Sequence, residues 1–458
     1  MNKITPIEYF HKNRERMLEE LKELLRIPSV SAQPSYKDDV KRCADWLINH
    51  CKKMGLIAEK RETEGNPLVL ARTPGYKEAK YRYLVYGHYD VQPPEPLELW
   101  TKTKNPFSPV IADGNIYGRG TADDKAQLFM HLKAVECFLA TGTPLPCGIS
   151  FLFEGEEEIG SPSLGTFLKR HSDDLPCDLI IISDTGMPAL NCPAVTCGLR
   201  GVLALEVTLT GPNRDLHSGI HGGAVQNPAH VLCSMIAALH DQDGKVTIPG
   251  FYDHVSEVTE FERKQFQNLP YNDEEYKKDL GVEQLFGEKG YTSTERRMAR
   301  PTLEVNGLTS GYQGQGGKTI IPSTASAKIT CRTVPNQDAK SLQNKVCAYL
   351  EKICPKTVSI KIEKEQAGNA YLIDPAGKSV SAAIRALEKA FGCKATIMRE
   401  GGSIPIVVDF KNYLKADSLL IGLSLPDDNA HSPNEKFSLE CFDKGIETSI
   451  YLWNELVS

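Results

Sequence analysis

The sequence predicts an α/β fold in which one α/β domain is made from two separate pieces of the chain and a smaller α+β domain is inserted between them. Strand and helix patterns alternate over residues 1–198, which is typical of a sheet covered by helices. The pattern changes over residues 199–367, where strands with one polar face accompany helices, and it changes back over residues 368–458. A length of 458 residues exceeds what one hydrophobic core normally organises, and therefore fits two domains.

In the first piece, short apolar segments predict three strands, at 81–86, 149–153 and 179–182. Helices are predicted before and between these strands. They are indicated by apolar residues at helical spacing, namely Val40, Ala44, Leu47, Cys51 and Met54, and then Leu128, Leu132, Val135 and Leu139.

The inserted piece is predicted to begin with a strand at 202–210. A helix is expected to start at Asn227-Pro228 and to reach about His240, because Asn is a good N-cap and Pro suits the first turn. Residues 244–300 are charged and aromatic, and are predicted to be an insertion or a long loop. A strand at 327–331, a helix at 342–353 and a strand at 358–362 complete the inserted piece.

The last piece returns to the pattern of the first and is therefore predicted to belong to the same domain. A helix is indicated there by apolar residues at helical spacing over 380–391. A strand at 419–423 and a final helix from about Leu439 follow.

Composition and charge exclude several classes of function. The net charge of -6 leaves no basic surface for nucleic acid and no polybasic membrane address. No apolar run approaches the ~18 residues that cross a bilayer, and the first residues contain no apolar core of a signal peptide. The 13 cysteines include no Cys-x-x-Cys pair, so reduced thiols are expected. We therefore expect a soluble, cytoplasmic protein with no nucleic acid or membrane partner.

Acidic residues and histidines cluster where the predicted strands end. Sites in open α/β sheets form beyond the carboxyl ends of the strands. A single Asp in such a place is usually a turn or helix-cap residue, but five clusters at corresponding positions favour a functional site. The clusters are His88-Tyr89-Asp90, Asp123-Asp124, Glu156-Glu157-Glu158, Asp184 and Asp427-Asp428-Asn429-Ala430-His431. Asp90 is expected to hold the ring of His88 by a hydrogen bond.

Longer motifs around these clusters lie in order along nearly the whole chain. They are Gly87-His88-Tyr89-Asp90-Val91-Gln92-Pro93, Tyr117-Gly118-Arg119-Gly120-Thr121-Ala122-Asp123-Asp124-Lys125, Glu154-Gly155-Glu156-Glu157-Glu158-Ile159-Gly160-Ser161, Ile182-Ser183-Asp184, Gly198-Leu199-Arg200-Gly201, Asp215-Leu216-His217-Ser218-Gly219, Arg399-Glu400-Gly401-Gly402-Ser403-Ile404-Pro405 and Ala430-His431-Ser432-Pro433-Asn434-Glu435-Lys436. In these motifs the sequence resembles the M20 metallopeptidases, and within them the carnosinase-like cytosolic dipeptidases.

The resemblance implies a catalytic domain of the zinc-exopeptidase type, an inserted lid and dimerisation domain, and two divalent metal ions per subunit. Asp123 would bridge the two ions, with His88 and Asp184 completing one site and Glu158 and His431 the other. Two histidines with three carboxylates suit Zn²⁺ or Mn²⁺, and also Co²⁺.

The resemblance further implies that Glu157 is the general base, which takes a proton from water and later gives it to the leaving amine. The run of three glutamates leaves a second register open, with base and ligand at Glu156 and Glu157. The sequence Ile159-Gly160-Ser161 that follows the run favours Glu157 and Glu158.

Substrate contacts are implied for the inserted domain and for a late loop. His217 would reach the active site of a partner subunit in a homodimer and stabilise the oxyanion. Arg332 and Thr319 match lid positions that contact substrate, and the planar guanidinium of Arg332 suits a terminal carboxylate. Backbone N–H groups around Gly402 and Ser403 would hold the same carboxylate. Without the resemblance, Arg332 would be interpreted as an exposed strand residue paired with a neighbour.

The predicted function is therefore hydrolysis of the peptide bond of dipeptides by a dinuclear metal site. The alternative within enzymes is an N-acyl-amino-acid deacylase, which would use the same metals and the same base. A binding protein without activity and a serine hydrolase using Ser403 are further alternatives. The presence of all five ligands and of Glu157 disfavours the first of these, and Pro405 in place of the last glycine of a nucleophile elbow disfavours the second.

Overall fold

The computed structural model describes residues 4–402 and 404–458. Its thirteen α-helices are distributed over the whole described chain. They are α1 Pro6–Leu25, α2 Lys37–Lys53, α3 Ala126–Thr141, α4 Leu164–His171, α5 Ser218–His221, α6 Pro228–Ala237, α7 Glu260–Gln267, α8 Asp273–Leu280, α9 Ser293–Ala299, α10 Ala339–Ile353, α11 Lys378–Phe391, α12 Pro405–Leu414 and α13 Leu439–Glu455.

The described residues form four sheets. Their strands, in chain order, are β1 Ile57–Arg61, β2 Leu68–Arg72, β3 Arg82–His88, β4 Val110–Ala112, β5 Asn115–Tyr117, β6 Gly148–Glu154, β7 Leu179–Ile182, β8 Ala194–Leu199, β9 Gly201–Thr210, β10 Leu216–His217, β11 Thr302–Ser310, β12 Ile320–Ile321, β13 Thr324–Thr333, β14 Ser359–Gly368, β15 Tyr371–Leu372, β16 Thr396–Glu400, β17 Asp417–Leu420 and β18 Lys436–Ser438.

The largest sheet has nine strands in the order β1-β2-β6-β3-β7-β17-β8-β15, with β16 also paired to β8. Strands β6, β3, β7 and β17 run parallel to one another. Every residue of β6 and of β7 is buried, as expected for parallel strands covered on both faces. The parallel run matters for function because it brings the carboxyl ends of four strands to one edge of the sheet.

A second, antiparallel sheet has four strands in the order β11-β13-β9-β14. It has its own hydrophobic core, built with residues of α6 and α10. Its strands begin at Gly201 and end at Gly368, whereas all strands of the nine-stranded sheet lie before residue 200 or after residue 370. The predicted α/β class with an added α+β unit is confirmed. The domain limits at 199 and 367 remain a prediction, to which these sheet limits lie close.

The interpretation of residues 244–300 as a loop was wrong in part, because α7, α8 and α9 lie within this segment. Two of these helices begin with a capping box. Thr259 caps α7 and Glu262 bonds back to it, and Thr292 and Glu295 do the same for α9. The Thr-x-x-Glu spacing is a sequence signal for helix starts, whereas hydrophobic periodicity is weak in helices this short.

In the part of the chain that the structure describes, no helix combines the length and apolar character needed to span a bilayer.

Candidate metal centre

Four strand ends and the segments that follow them build the site. His88 is the last residue of β3, and Glu157 and Glu158 form a short turn three residues after β6. Asp184 follows β7 by two residues, and His431 lies in the segment between β17 and β18. Because these strands are neighbours and parallel, their ends meet, and the chain brings together residues that are more than 300 positions apart.

One potential metal-binding group consists of His88, Asp123 and Asp184. The ligand atoms of these residues all lie within 4.8 Å of one another. His88 Nε2 is 2.9 Å from Asp123 Oδ1 and 3.8 Å from Asp184 Oδ2. The imidazole is fully buried, so its position is fixed by the surrounding structure.

A second group consists of Asp123, Glu158 and His431 and meets the same distance limit. His431 Nε2 is 2.7 Å from Asp123 Oδ2 and 3.3 Å from Glu158 Oε2. Asp123 therefore points one carboxylate oxygen into each group. An aspartate shared in this way can bridge two cations.

The charge balance of the site suits cations. Hydrogen bonds that the His431 ring donates to the carboxylates of Asp123 and Glu158 raise its pKa to about 10. Burial and the charge of Asp123 raise the pKa of Asp184 well above its usual value. Both shifts mean that the site favours protonated side chains, because its carboxylates carry negative charge that is not balanced. A metal ion can supply the balancing positive charge in place of protons. The donor set of two imidazoles and three carboxylates therefore fits divalent ions.

A third group, Glu20, His50 and Glu136, also meets the distance limit for a metal. Its centre already contains the ammonium of Lys133. The Nζ atom lies 2.5 Å from Glu20 Oε2 and 2.7 Å from both His50 Nε2 and Glu136 Oε2. Since Lys133 is fully buried and balances these carboxylates, we assign no metal to this group.

Asp90 organises the site in two ways. Its backbone oxygen is 3.1 Å from His88 Nδ1, and its carboxylate Oδ1 is 3.4 Å from the same nitrogen. The two carboxylate oxygens also accept hydrogen bonds from the backbone N–H groups of Glu157 and Glu158, at 3.2 and 3.1 Å. The sequence predicted only the contact with His88. The structure adds that Asp90 fixes the turn carrying the two glutamates.

Glu157 has the environment of a proton acceptor. Burial raises its pKa to about 7; the charge of His88 opposes the rise, and those of Asp123 and Glu158 add to it. A carboxyl group with a pKa near neutrality can both take and return a proton. Glu158 instead points to His431 and accepts a hydrogen bond from Gln92 at 2.7 Å. Adjacent residues of one turn therefore have different surroundings.

Glu435 was quoted in a sequence motif, but no role was predicted for it. It is fully buried and forms an ion pair with Arg119 at 2.7 Å. Its carboxylate also accepts hydrogen bonds from the backbone N–H groups of Gly120, Ala122 and Asp123, at 2.9–3.2 Å. Glu435 thus holds the loop that presents Asp123. No sequence signal besides the neighbouring His431 points to this role.

A cavity of about 300 Å³ adjoins the metal-binding groups, and its lining includes Asp123, Asp184, Met398, Tyr271 and Glu400. The Oε2 atom of Glu400 is buried and has no hydrogen-bond partner among the described residues. Burial raises the pKa of Glu400 to about 7. A carboxyl group in this state can accept a cationic group from a ligand. The sequence analysis quoted Glu400 only as part of a motif.

The structure places His217 and Thr319 next to each other at the β10–β12 ribbon. His217 pairs with Ile320 across the short β10–β12 ribbon, and the N–H of Ser218 bonds to Thr319 O at 3.0 Å. The His217 ring accepts a hydrogen bond from the N–H of Gly219 and is exposed. Among the described residues, no hydrogen bond or ion pair connects His217 or Thr319 to the metal-binding groups.

The remaining predicted substrate contacts lie in two places. Arg332 is on β13, opposite Thr302 of β11 and Val202 of β9, and burial lowers its pKa. Gly402 is exposed and follows β16 by two residues. Ser403 lies outside the described residues.

A family model, related sequences and solved structures all point to the same protein family. The model of the peptidase family M20/M25/M40 matches residues 84–455. The Cys-Gly metallodipeptidase dug1 of Schizosaccharomyces pombe is 31% identical, over 98% of this chain and 98% of its own. The Beta-Ala-His dipeptidase of Rattus norvegicus is 28% identical, over 94% and 91%. Among solved structures, the M20 family metallo-carboxypeptidase Sso-CP2 from Sulfolobus solfataricus has a TM-score of 0.84 and 32% identity, covering 96% of this chain and 99% of its own.

Proposed function

Because the chain belongs to peptidase family M20/M25/M40, we propose that it is a dinuclear metal-dependent dipeptidase that hydrolyses the peptide bond of dipeptides. The observation that carries the proposal is the pair of metal-binding groups that share Asp123. Two of the relatives are a Cys-Gly metallodipeptidase and a Beta-Ala-His dipeptidase, and this supports a dipeptide as the substrate. The cytoplasmic location remains a prediction from the sequence.

In this proposal His88, Asp123 and Asp184 hold one divalent ion, and Asp123, Glu158 and His431 hold the other, either Zn²⁺ or Mn²⁺. Such ions supply Lewis-acid polarisation of the scissile carbonyl and acidify bound water. Asp90 keeps the ring of His88 in place and aligns the backbone of the glutamate turn.

Glu157 acts as general base and then as general acid. It takes a proton from the attacking water and delivers it to the nitrogen of the leaving amino acid. Burial raises the pKa of Glu157, which favours its return of the proton to the leaving amine. The alternative register, with Glu156 as base, is disfavoured because both oxygens of Glu156 accept backbone hydrogen bonds, from Asn66 and from Ser163.

The free amino group of a dipeptide distinguishes it from an N-acyl amino acid. Glu400 lines the cavity beside the metal groups, and its buried Oε2 atom has no hydrogen-bond partner among the described residues. An ammonium group there would satisfy this oxygen and offset the cost of its burial. An acetyl group would leave the oxygen unpaired, and a succinyl group would bring a second carboxylate to it. This feature favours the dipeptidase over the deacylase.

The substrate carboxylate is assigned to Arg332 and to the backbone N–H groups near Gly402 and Ser403. Among the described residues, no hydrogen bond or ion pair joins His217 or Thr319 to the metal-binding groups. We therefore include a homodimer in the proposal, in which these two residues act on the site of the partner. Residues 199–367 would be the lid and dimerisation domain.

The test compares hydrolysis of alanyl-alanine with that of N-acetyl- and N-succinyl-alanine by the metal-loaded protein. We expect the dipeptide to be cleaved far faster. Glu400→Gln should lower kcat/KM for the dipeptide by roughly 10- to 100-fold, the value of a charge-assisted hydrogen bond, without lowering it for the acylated substrates. The matched control is Glu363→Gln, which changes an exposed glutamate of β14. Cleavage of the acylated substrates alone would make the protein a deacylase.

A further inference from the structure

A second cavity lies beside the Glu400 segment and is rich in arginine. It has a volume of about 430 Å³, and its lining includes Arg200, Arg297 and Arg332. Arg200 lies between β8 and β9, Arg332 is on β13, and Arg297 is in α9 of the 244–300 segment. Three separate parts of the chain therefore bring guanidinium groups to one cavity.

These arginines lie close enough for their charges to interact. Arg200 is partly buried, and its pKa is lowered to about 10 by burial first and then by the charges of Arg332 and Arg297. Glu304 opposes this shift, but the net direction shows that burial and the neighbouring positive charges prevail. Another acidic residue of the lining, Glu288, is bound to Arg300 through two contacts of 2.7 Å. Five arginines and two glutamates line the cavity, which therefore carries a net positive charge.

Two contacts link this cavity to the segment after β16 and to Tyr271, which lines the cavity beside the metal groups. The side chain of Arg200 donates a hydrogen bond to Gly401 O at 3.2 Å, next to Glu400. A Cβ atom at Gly401 would lie 2.9 Å from Arg200 Nη2 and 3.1 Å from Arg297 O, so the backbone, Arg200 and α9 meet at this point. Tyr271, which lines the cavity beside the metal groups, has Arg297 over its ring at 5.3 Å.

Two aromatic rings hold Arg297 in position, and no ion pair of Arg297 occurs among the described residues. Its guanidinium lies over two aromatic rings, those of Tyr271 and Tyr276, at 5.3 and 4.5 Å from the ring centroids. Cation–π contacts of this kind orient the guanidinium. They leave the N–H groups at its edge available for hydrogen bonds in the plane of the guanidinium. An exposed arginine on such a support suits the carboxylate of a ligand.

We propose that this cavity is a subsite for the side-chain carboxylate of an acidic C-terminal residue, so that the enzyme prefers dipeptides ending in Asp or Glu. The inference rests on the proposed dipeptidase function. Arg332 would bind the α-carboxylate, and Arg297 with Arg200 would bind the second carboxylate. One arginine is enough to bind the single α-carboxylate of an ordinary dipeptide. The further arginines of the cavity would bind a second carboxylate, on the side chain of the C-terminal residue of the substrate.

The test measures kcat/KM for alanyl-glutamate and for alanyl-glutamine, which differ only in the charge of the side chain. The wild-type protein should prefer alanyl-glutamate. Arg297→Gln should reduce the ratio of the two values by roughly tenfold, the value of one charge-assisted contact. Arg297→Lys, which retains the positive charge over the tyrosine rings, should retain more of the preference. The control is Arg170→Gln, which changes an exposed arginine of α4 that is 3.6 Å from the exposed Glu64. It should leave the ratio unchanged.

Calorimetric binding of L-glutamate and of L-glutamine to the metal-loaded protein separates this inference from the proposed function. Tighter binding of L-glutamate that depends on Arg297, without cleavage of any dipeptide, would support the subsite and refute the dipeptidase. Cleavage of dipeptides with a ratio that Arg297→Gln does not change would refute the subsite and leave the dipeptidase intact. A wild-type preference for alanyl-glutamine would also refute the subsite.

Discussion

Glu435→Gln is expected to destabilise the protein and to weaken metal binding, although Glu435 itself is not a proposed ligand. One carboxylate oxygen accepts hydrogen bonds from Arg119 and Gly120, and the other accepts them from the N–H groups of Ala122 and Asp123. Glutamine has the same shape, but one of its two positions is an NH₂ group. In either orientation of the amide, two buried donors lose their acceptor.

The magnitude follows from burial. Arg119 is 1% exposed and Glu435 is 0% exposed, so water cannot replace the lost contacts. Removing one member of a buried ion pair costs about 3–5 kcal/mol, because the other charge remains buried without compensation. In the orientation that turns the NH₂ group towards the N–H groups of Ala122 and Asp123, the shared metal ligand should also lose its fixed position. Changes to such supporting residues typically weaken metal binding about 10- to 100-fold.

The free energy of unfolding is measured by urea denaturation of the metal-free protein, and metal affinity by calorimetry on the same sample. The control, Glu363→Gln, removes an exposed ion pair with Lys361 and should leave both quantities close to the wild-type values. A Glu435→Gln protein with wild-type stability and wild-type metal affinity would refute the role assigned to Glu435.

Further predictions concern the interior and the site. The pKa of His131, which is buried between the hydroxyls of Ser183 and Ser449, is lowered to about 4 by burial. In the unfolded chain the imidazole binds a proton near pH 6.5, whereas in the folded protein it stays neutral down to about pH 4. The contribution of neutral His131 to the free energy of unfolding is therefore fully present well above pH 6.5. It is lost as the pH is lowered towards 4, by about 2 kcal/mol at pH 5. His131→Asn should flatten this dependence in urea titrations between pH 7 and 5, and an unchanged pH dependence would contradict the assignment. In Gly422→Ala the new Cβ would lie 1.8 Å from the backbone oxygen of Thr185; we expect a loss of about 1–3 kcal/mol together with reduced metal content, because Thr185 adjoins Asp184. The control is Gly317→Ala, because no atom lies within 4 Å of a Cβ added at Gly317. Equal stability of the two variants would show that the backbone around Gly422 and Thr185 moves to accept the methyl group, and would contradict the prediction.

The fold was predictable where hydrophobic pattern and burial agree. Strand β7 has the predicted limits, 179–182, because four successive apolar residues form a strand that is buried on both faces. Helix α1, Pro6–Leu25, was not predicted, although Thr5 and Glu8 form a capping box, because the charged surface of this segment was considered only as a possible leader peptide. Residues 244–300 were misinterpreted for a similar reason, since short helices contain few apolar repeats.

The site was predictable as far as residue type and strand position determine it. Four of the five residues named as ligands follow the parallel neighbours β3, β6, β7 and β17, whereas Asp123 lies between β5 and α3, outside the main sheet. All five lie in the two groups that the structure brings together, and their role as metal ligands remains a prediction. The roles of Glu400, Glu435 and Arg297 were not predictable. They depend on an oxygen without a partner, on four converging donors and on two supporting tyrosine rings, and each of these is a property of tertiary packing between distant segments.

The central claim is that a dinuclear centre and Glu157 together hydrolyse dipeptides. The most direct measurement is the rate of alanyl-alanine hydrolysis by the metal-stripped protein as Zn²⁺ or Mn²⁺ is added back, for the wild type and for Glu157→Ala, with the bound metal counted in each sample. The account predicts that wild-type activity returns as two ions bind per subunit, and that Glu157→Ala binds the same number of ions but loses activity by a factor of about 100 or more. Full activity in the stripped protein, or in Glu157→Ala with its metals bound, would contradict the account.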